Sequence, residues 1–143
     1  MKQDQVRLNS IGTGLEVVSR EIRVVPDNSE TILLPIVETE GSAWALVWPG
    51  MGAHLRSMHR ISLPPGGRTI ALRHPMEAVY YVFAGSAEVQ DLDANIHHQL
   101  IQGGMVLVDP GTRYCIAAGL EGSEIVGGPC PADPQMYAVS ESD

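Results

Sequence analysis

Five histidines, four tyrosines and seventeen acidic residues are the groups with which this 143-residue chain could move protons or bind a metal. Their most informative grouping lies in Pro64–Gly85, PPGGRTIALRHPMEAVYYVFAG. His74 and Glu77 stand three residues apart across a His-Pro break, which brings them close in space. A neutral imidazole and a carboxylate are legitimate ligands for iron, zinc or manganese. Two ligands do not make a site. His59, on a preceding strand, is the candidate third, which would give two histidines and one carboxylate, the set that non-haem iron favours. Glu77 is also a candidate acid-base group. The opposing expectation is a metal-free interior, with Glu77 in a solvated loop and His74 as a hydrogen-bonded core residue.

The elements that must position these groups read as strands. Leu15–Val25 and Thr31–Val37 are β-branched runs split by a PDNSE turn. Ala43–Trp48, Leu55–Leu63, Thr69–Arg73, Val79–Phe83, Ala87–Leu92, His98–Ile101, Met105–Val108, Cys115–Ala118 and Ser123–Val126 follow, each bounded by Gly, Pro, Asp or Asn. Short strands at regular spacing with no helical period predict an all-β sandwich or barrel. Alternation places Ile70, Leu72 and His74 on one face, and Ser57, His59 and Ile61 on the face opposite Arg56 and Arg60, so His59 is expected to point inward. Trp44 and Trp48, at i and i+4, are expected to share a face, as a cavity wall or as core. Tyr80 and Tyr81 are expected on opposite faces, as packing residues with tethered hydroxyls. His97 and His98 read as an exposed hairpin turn. Cys115 and Cys130 lack CxxC spacing, and neither shows a basic neighbour arranged to make it a nucleophile.

The Pro64–Gly85 segment resembles the first motif of the cupins, small jelly-roll barrels built as a double-stranded β-helix. A regular copy reads HxHxxxE with a glycine seven residues on. Counting back from Gly85 puts Ala78 at the glutamate, His74 at the second histidine and Leu72 at the first. Gly104–Tyr114, GMVLVDPGTRY, resembles the second motif, with Tyr114 where a metal-binding histidine would stand. Within the cupins, Gly50–Gly52 (GMG), Met76–Tyr81 (MEAVYY) and Gly85–Leu92 (GSAEVQDL) are similar to segments of ectoine synthases. That likeness implies closure of N-γ-acetyl-diaminobutyrate into a cyclic amidine with loss of water, on an iron held by Glu, Tyr and His. Carried over, the glutamate falls on Glu77, the tyrosine on Val106 and the histidine on Tyr114, while the tyrosine before the first motif's histidines falls on Leu72. The chain departs from the pattern at two of the three metal positions.

At the old ligand position, Tyr114 could hydrogen-bond a substrate, donate a proton or bind iron as phenolate, or fill space left by a lost metal. Catalysis is therefore assigned to Tyr114 and Glu77, metal binding to His74, Glu77 and His59, and substrate contact to His59, Leu72, Trp44 and Tyr80. The cofactor is expected to be a divalent metal (Fe, Zn or Mn) or none. The function expected is a small-molecule lyase, cyclase or isomerase acting on a polar metabolite in the barrel. The alternative is a cupin that binds a small molecule without chemistry.

The length fits one domain, residues 1–143, with N-terminal strands or an arm over 1–30, a barrel core over 43–127 and a flexible tail over 138–143. A net charge of −8, with only nine Lys and Arg, argues against nucleic acid as a partner. No apolar run reaches the ~18 residues of a membrane span, and the first ten residues lack the apolar core of a secretory signal. A cytoplasmic homodimer with a small-molecule ligand is the expectation.

Overall fold

The computed structural model describes residues 21–26 and 32–138. The expected strand over Leu15–Val25 lies mostly outside these residues, and Glu21–Pro26 carries no strand. Most of the expected tail, 139–143, also lies outside them.

The described residues form six strands: β1 (Ser42–Val47), β2 (Met58–Leu63), β3 (Glu77–Asp91), β4 (Ile96–Leu100), β5 (Met105–Val108) and β6 (Tyr114–Cys130). The sheet order is β1-β2-β6-β3-β4, with β5 also on β3, and the named strand pairs are antiparallel. The two long strands, β3 and β6, pair along nearly their whole length. Each bends midway, so its two halves serve two facing sheets. The first half of β3 lies between β5 and the second half of β6, with β2 and β1 beyond. The second half of β3 lies between β4 and the first half of β6, which is bridged in turn by Arg68 and Leu72.

Glycine makes the bend. Gly85 has φ +75°, and a Cβ there would sit 2.1 Å from the Gly122 carbonyl oxygen on β6. No other residue fits that approach. Gly85 therefore turns a corner inside one continuous strand, with register shifts at Val82/Ala84 and Gly85/Ala87, instead of ending the strand as its neighbours Val79–Phe83 and Ala87–Leu92 suggest. The same holds for Cys115–Ala118 and Ser123–Val126, which are two halves of β6.

Thr69–Arg73 forms isolated bridges and not a regular strand. Leu72 exchanges both backbone hydrogen bonds with Tyr114, at 2.7 and 2.9 Å. Its alternation is broken, because Thr69, Leu72 and His74 are buried while Ile70 is partly exposed.

The space between the sheets is graded. At one end Ile61, Leu63, Val82, Ala87, Ile116 and Ile125 are all buried, each Ile or Leu contributing roughly 1.5–3 kcal/mol of hydrophobic stabilisation. At the other end the inward side chains include Ser57, His59, His74, Tyr80 and Tyr114, all buried and all carrying a polar group. The register fixes this division: Ile61, Ile125 and Val82 share one row, while His59, Gly127 and Tyr80 share the next.

Candidate functional site

The polar end holds three of the chain's four tyrosines and two of its five histidines. Two hydrogen-bonded systems occupy it.

The first runs through His74. Its Nδ1 lies 2.7 Å from Asp133 Oδ2, and its Nε2 lies 2.7 Å from the Tyr114 hydroxyl. The Tyr114 hydroxyl lies 2.7 Å from that of Tyr80. One proton assignment satisfies every group. Tyr80 O–H donates to Tyr114, Tyr114 O–H donates to His74 Nε2, and His74 Nδ1–H donates to the Asp133 carboxylate. Asp133 is itself held rigidly, because it caps the 3-10 helix Pro134–Tyr137, its Oδ1 accepting from Gln135 N–H at 3.1 Å. Burial, and then the neighbouring Tyr80 and Asp133, push the Tyr114 phenol far above its usual range. Burial pushes Tyr80 up to about 12. Both therefore stand as O–H donors at neutral pH, not phenolates.

The second system runs through His59 on β2. Its Nε2 lies 2.7 Å from the Tyr137 hydroxyl, which also meets Ser57. The Ser57 hydroxyl donates to the Pro129 carbonyl. Tyr137 packs against Trp48, ring centroids 4.9 Å apart. His59 Nδ1 is buried with no partner. Burial, assisted by the nearby His74, lowers the His59 pKa to about 4, so this ring is neutral. Two adjacent glycines of β6 make room here. Gly127 sits in register between His59 and Tyr80 and puts no side chain between them. A Cβ on Gly128 would lie 2.8 Å from His59 Nδ1 and 2.9 Å from Ser57 Oγ.

The residues singled out from the sequence separate into two sets. His59, His74, Tyr80, Tyr114 and Leu72 are all buried in the interior. Glu77 is not among them: it begins β3 on the exposed face and alternates with inward Ala78. The expected His74–Glu77–His59 set is therefore not formed, because a one-residue step along a strand reverses the face. Trp44 also belongs outside, where Arg60 lies over its ring at 5.4 Å. A register shift between Ala45 and Val47 breaks the i, i+4 relation, and Trp48 instead packs against the core. His97 and His98 are exposed but lie within β4, not in a turn. Asp133 and Tyr137 were not anticipated. Their signal was present in PADPQMY, where Asp before Pro is a helix-start pattern.

No family model matches the sequence, nor does any curated protein. Solved structures do match. The polyketide cyclase RemF from Streptomyces resistomycificus is similar with a TM-score of 0.66 and 18% identity, over 80% of this chain and 82% of that one. KdgF from Halomonas sp. gives 0.64 and 14%, over 80% and 99%. A cupin 2 conserved barrel domain protein from Salinispora arenicola gives 0.56 and 20%, over 77% and 87%. The chain has the all-β cupin jelly-roll fold.

The interior does not suit the metal that the cupin motifs usually hold. Leu72, Ala78 and Tyr114 occupy three of the four ligand positions, and both ring nitrogens of the fourth, His74, are hydrogen-bonded. Among the described residues no three His, Cys, Asp or Glu side chains come together in a ligand set. What the site offers is a directed chain of proton donors and acceptors.

Proposed function

We propose that this protein is a small-molecule enzyme of the lyase, cyclase or isomerase kind, working by proton transfer without a metal. The observation that carries the reading is the Asp133–His74–Tyr114 chain, whose His74 and Tyr114 stand at positions where the cupin motifs place metal ligands. It has the logic of a catalytic triad with a phenol as its terminal group. A substrate C–H or O–H proton passes to the Tyr114 oxygen as the Tyr114 proton passes to His74 Nε2. Asp133 then stabilises the imidazolium and holds its orientation. Reversing the transfer at a second substrate atom completes an isomerisation or assists loss of water or ring closure. A polyketide cyclase among the similar structures is in keeping with this chemistry, and ectoine-type ring closure is one member of the class.

The test is deuterium incorporation from D2O into a panel of enolisable and cyclisable metabolites, comparing wild type with Tyr114→Phe in the presence of chelator. Exchange that the wild type supports and the variant loses is the expected result. Exchange that persists in Tyr114→Phe, or that chelator abolishes, overturns the reading.

We further propose a cytoplasmic homodimer. Val79, Tyr81 and Phe83 of β3 and Met105 and Leu107 of β5 form one partly exposed apolar face, in register across the two strands, of the kind a partner copy covers. Both cysteines are free thiols, as a reducing compartment requires. Light scattering that gives a dimer mass for wild type and a monomer for Leu107→Lys supports the pairing; a wild-type monomer refutes it.

A further inference from the structure

Among the described residues the fold leaves an open side between its two sheets, where β4 is the edge of one and β5 the edge of the other. A cavity of about 410 Å³ lies there, within the size range of small-ligand sites. Its deep wall is apolar and inward-facing: Val89 of β3, Leu100 of β4, and Val106 and Val108 of β5. The register explains this, since Val106 pairs with inward Tyr80 and Val108 with inward Ala78. Tyr114 completes the wall, so the relay reaches this cavity at its phenol-bearing residue.

The polar lining has a definite sign. Asp91, Asp109, Thr112, Gln99 and His98 contribute to it, and among the described residues no lysine or arginine does. His98 pairs with Val89 and so stands on the cavity side of β4, exposed because the sandwich is open there. The nearest arginine in sequence, Arg113, is exposed and turned toward the β3–β4 hairpin, its Nε 3.8 Å from Asp93 Oδ1. A second cleft, about 300 Å³ beside His74 and Asp133, is less suited to recognition. Both of those groups are already fully engaged with each other, with Tyr114 and with the helix cap.

We propose that the cavity between β4 and β5 is the substrate site, and that it takes a neutral or amine-bearing molecule with an apolar body, not a carboxylate or phosphate. An apolar floor gives affinity by burial, while two carboxylates with no lysine or arginine among the described lining residues repel an anion and attract an ammonium group. The inference rests on the proton-relay reading for its catalytic meaning, but the binding preference stands on the cavity alone.

Three probes of similar shape and different charge test it at pH 7: 2-phenylethylamine, 2-phenylethanol and phenylacetate. Methyl NMR of valine- and leucine-labelled protein reports the site. The expected result is saturable shifts at Val89, Leu100 and Val108, with the amine binding at least tenfold more tightly than phenylacetate. Asp109→Lys, a rim change remote from the packed core, should narrow or reverse that ratio. Equal binding of phenylacetate, shifts centred on Leu72 instead, or no shifts with any of the three probes would overturn the proposal. Tyr114→Phe separates the two readings. Loss of deuterium exchange with an unchanged probe preference supports both. A wild type that shows the preference but no relay-dependent exchange defeats the relay alone.

Discussion

The two buried histidines, His59 on β2 and His74 in the segment before β3, are held in opposite ways. His74 has an acid on one nitrogen and a phenol on the other, so its ring sits in a chain that can accept a proton and share the charge with Asp133. His59 has one partner and one bare nitrogen, in a setting that lowers its pKa to about 4. The difference teaches that burial alone does not make a histidine a base. A carboxylate behind the ring does, because it offsets the cost of forming an imidazolium away from water.

The sharpest way to break this contrast is Tyr114→Phe. It removes the proton carrier between substrate and His74, and an activity loss of about 10²–10⁴-fold is expected in the deuterium-exchange assay. It also leaves His74 Nε2 and the Tyr80 hydroxyl without their shared partner, for a cost of about 1–3 kcal/mol in urea unfolding. A variant that is as active as wild type would remove the distinction between the two histidines.

The pH dependence comes next and belongs to His59. Its folded pKa lies below the unfolded value of 6.5, so between about pH 6.5 and 4 the unfolded chain binds a proton that the folded one refuses. Its neutral burial is compatible with full stability above pH 6.5, and roughly 3 kcal/mol is lost as the pH falls toward 4. Urea midpoints across that range should drop less steeply in His59→Gln than in wild type. Parallel curves would show that His59 is not the group responsible.

Gly128→Ala sharpens the contrast from the packing side. The new methyl carbon would stand under 3 Å from both His59 Nδ1 and Ser57 Oγ, for a cost of about 1–3 kcal/mol. Ring resonances of His59 should move while those of His74 stay. The smallest effect is expected for Tyr80→Phe, which removes the outermost donor and leaves the Tyr114–His74 bond in place. About 1 kcal/mol of stability and less than tenfold in activity should go. A loss as large as that of Tyr114→Phe would make Tyr80 part of the transfer itself.

Much of the fold was legible in the chain because it is written locally. β-branched runs between glycine and proline turns predict strands, and the two motif-like segments around Gly85 and Gly104 announce the jelly roll. His59, His74 and Tyr114 were legible as inward candidates from alternation and motif spacing. Glu77 was misplaced because two residues past Pro75 the sequence does not say which face a strand begins on. Trp44 and Trp48 were wrongly paired because the irregularity between Ala45 and Val47 leaves no local mark.

The sequence by itself determined a β-barrel with a depleted ligand set: Leu72, Ala78 and Tyr114 are fixed by spacing from two glycines. Only the tertiary structure decided what replaced the metal. Asp133 lies 59 residues from His74, and Tyr137 lies 78 from His59, so neither contact has a local signature. They form because β6 returns the chain past the first sheet and its terminal 3-10 helix closes over the polar end. Buried hydrogen-bonding groups must find partners there, and the partners come from wherever the fold brings them.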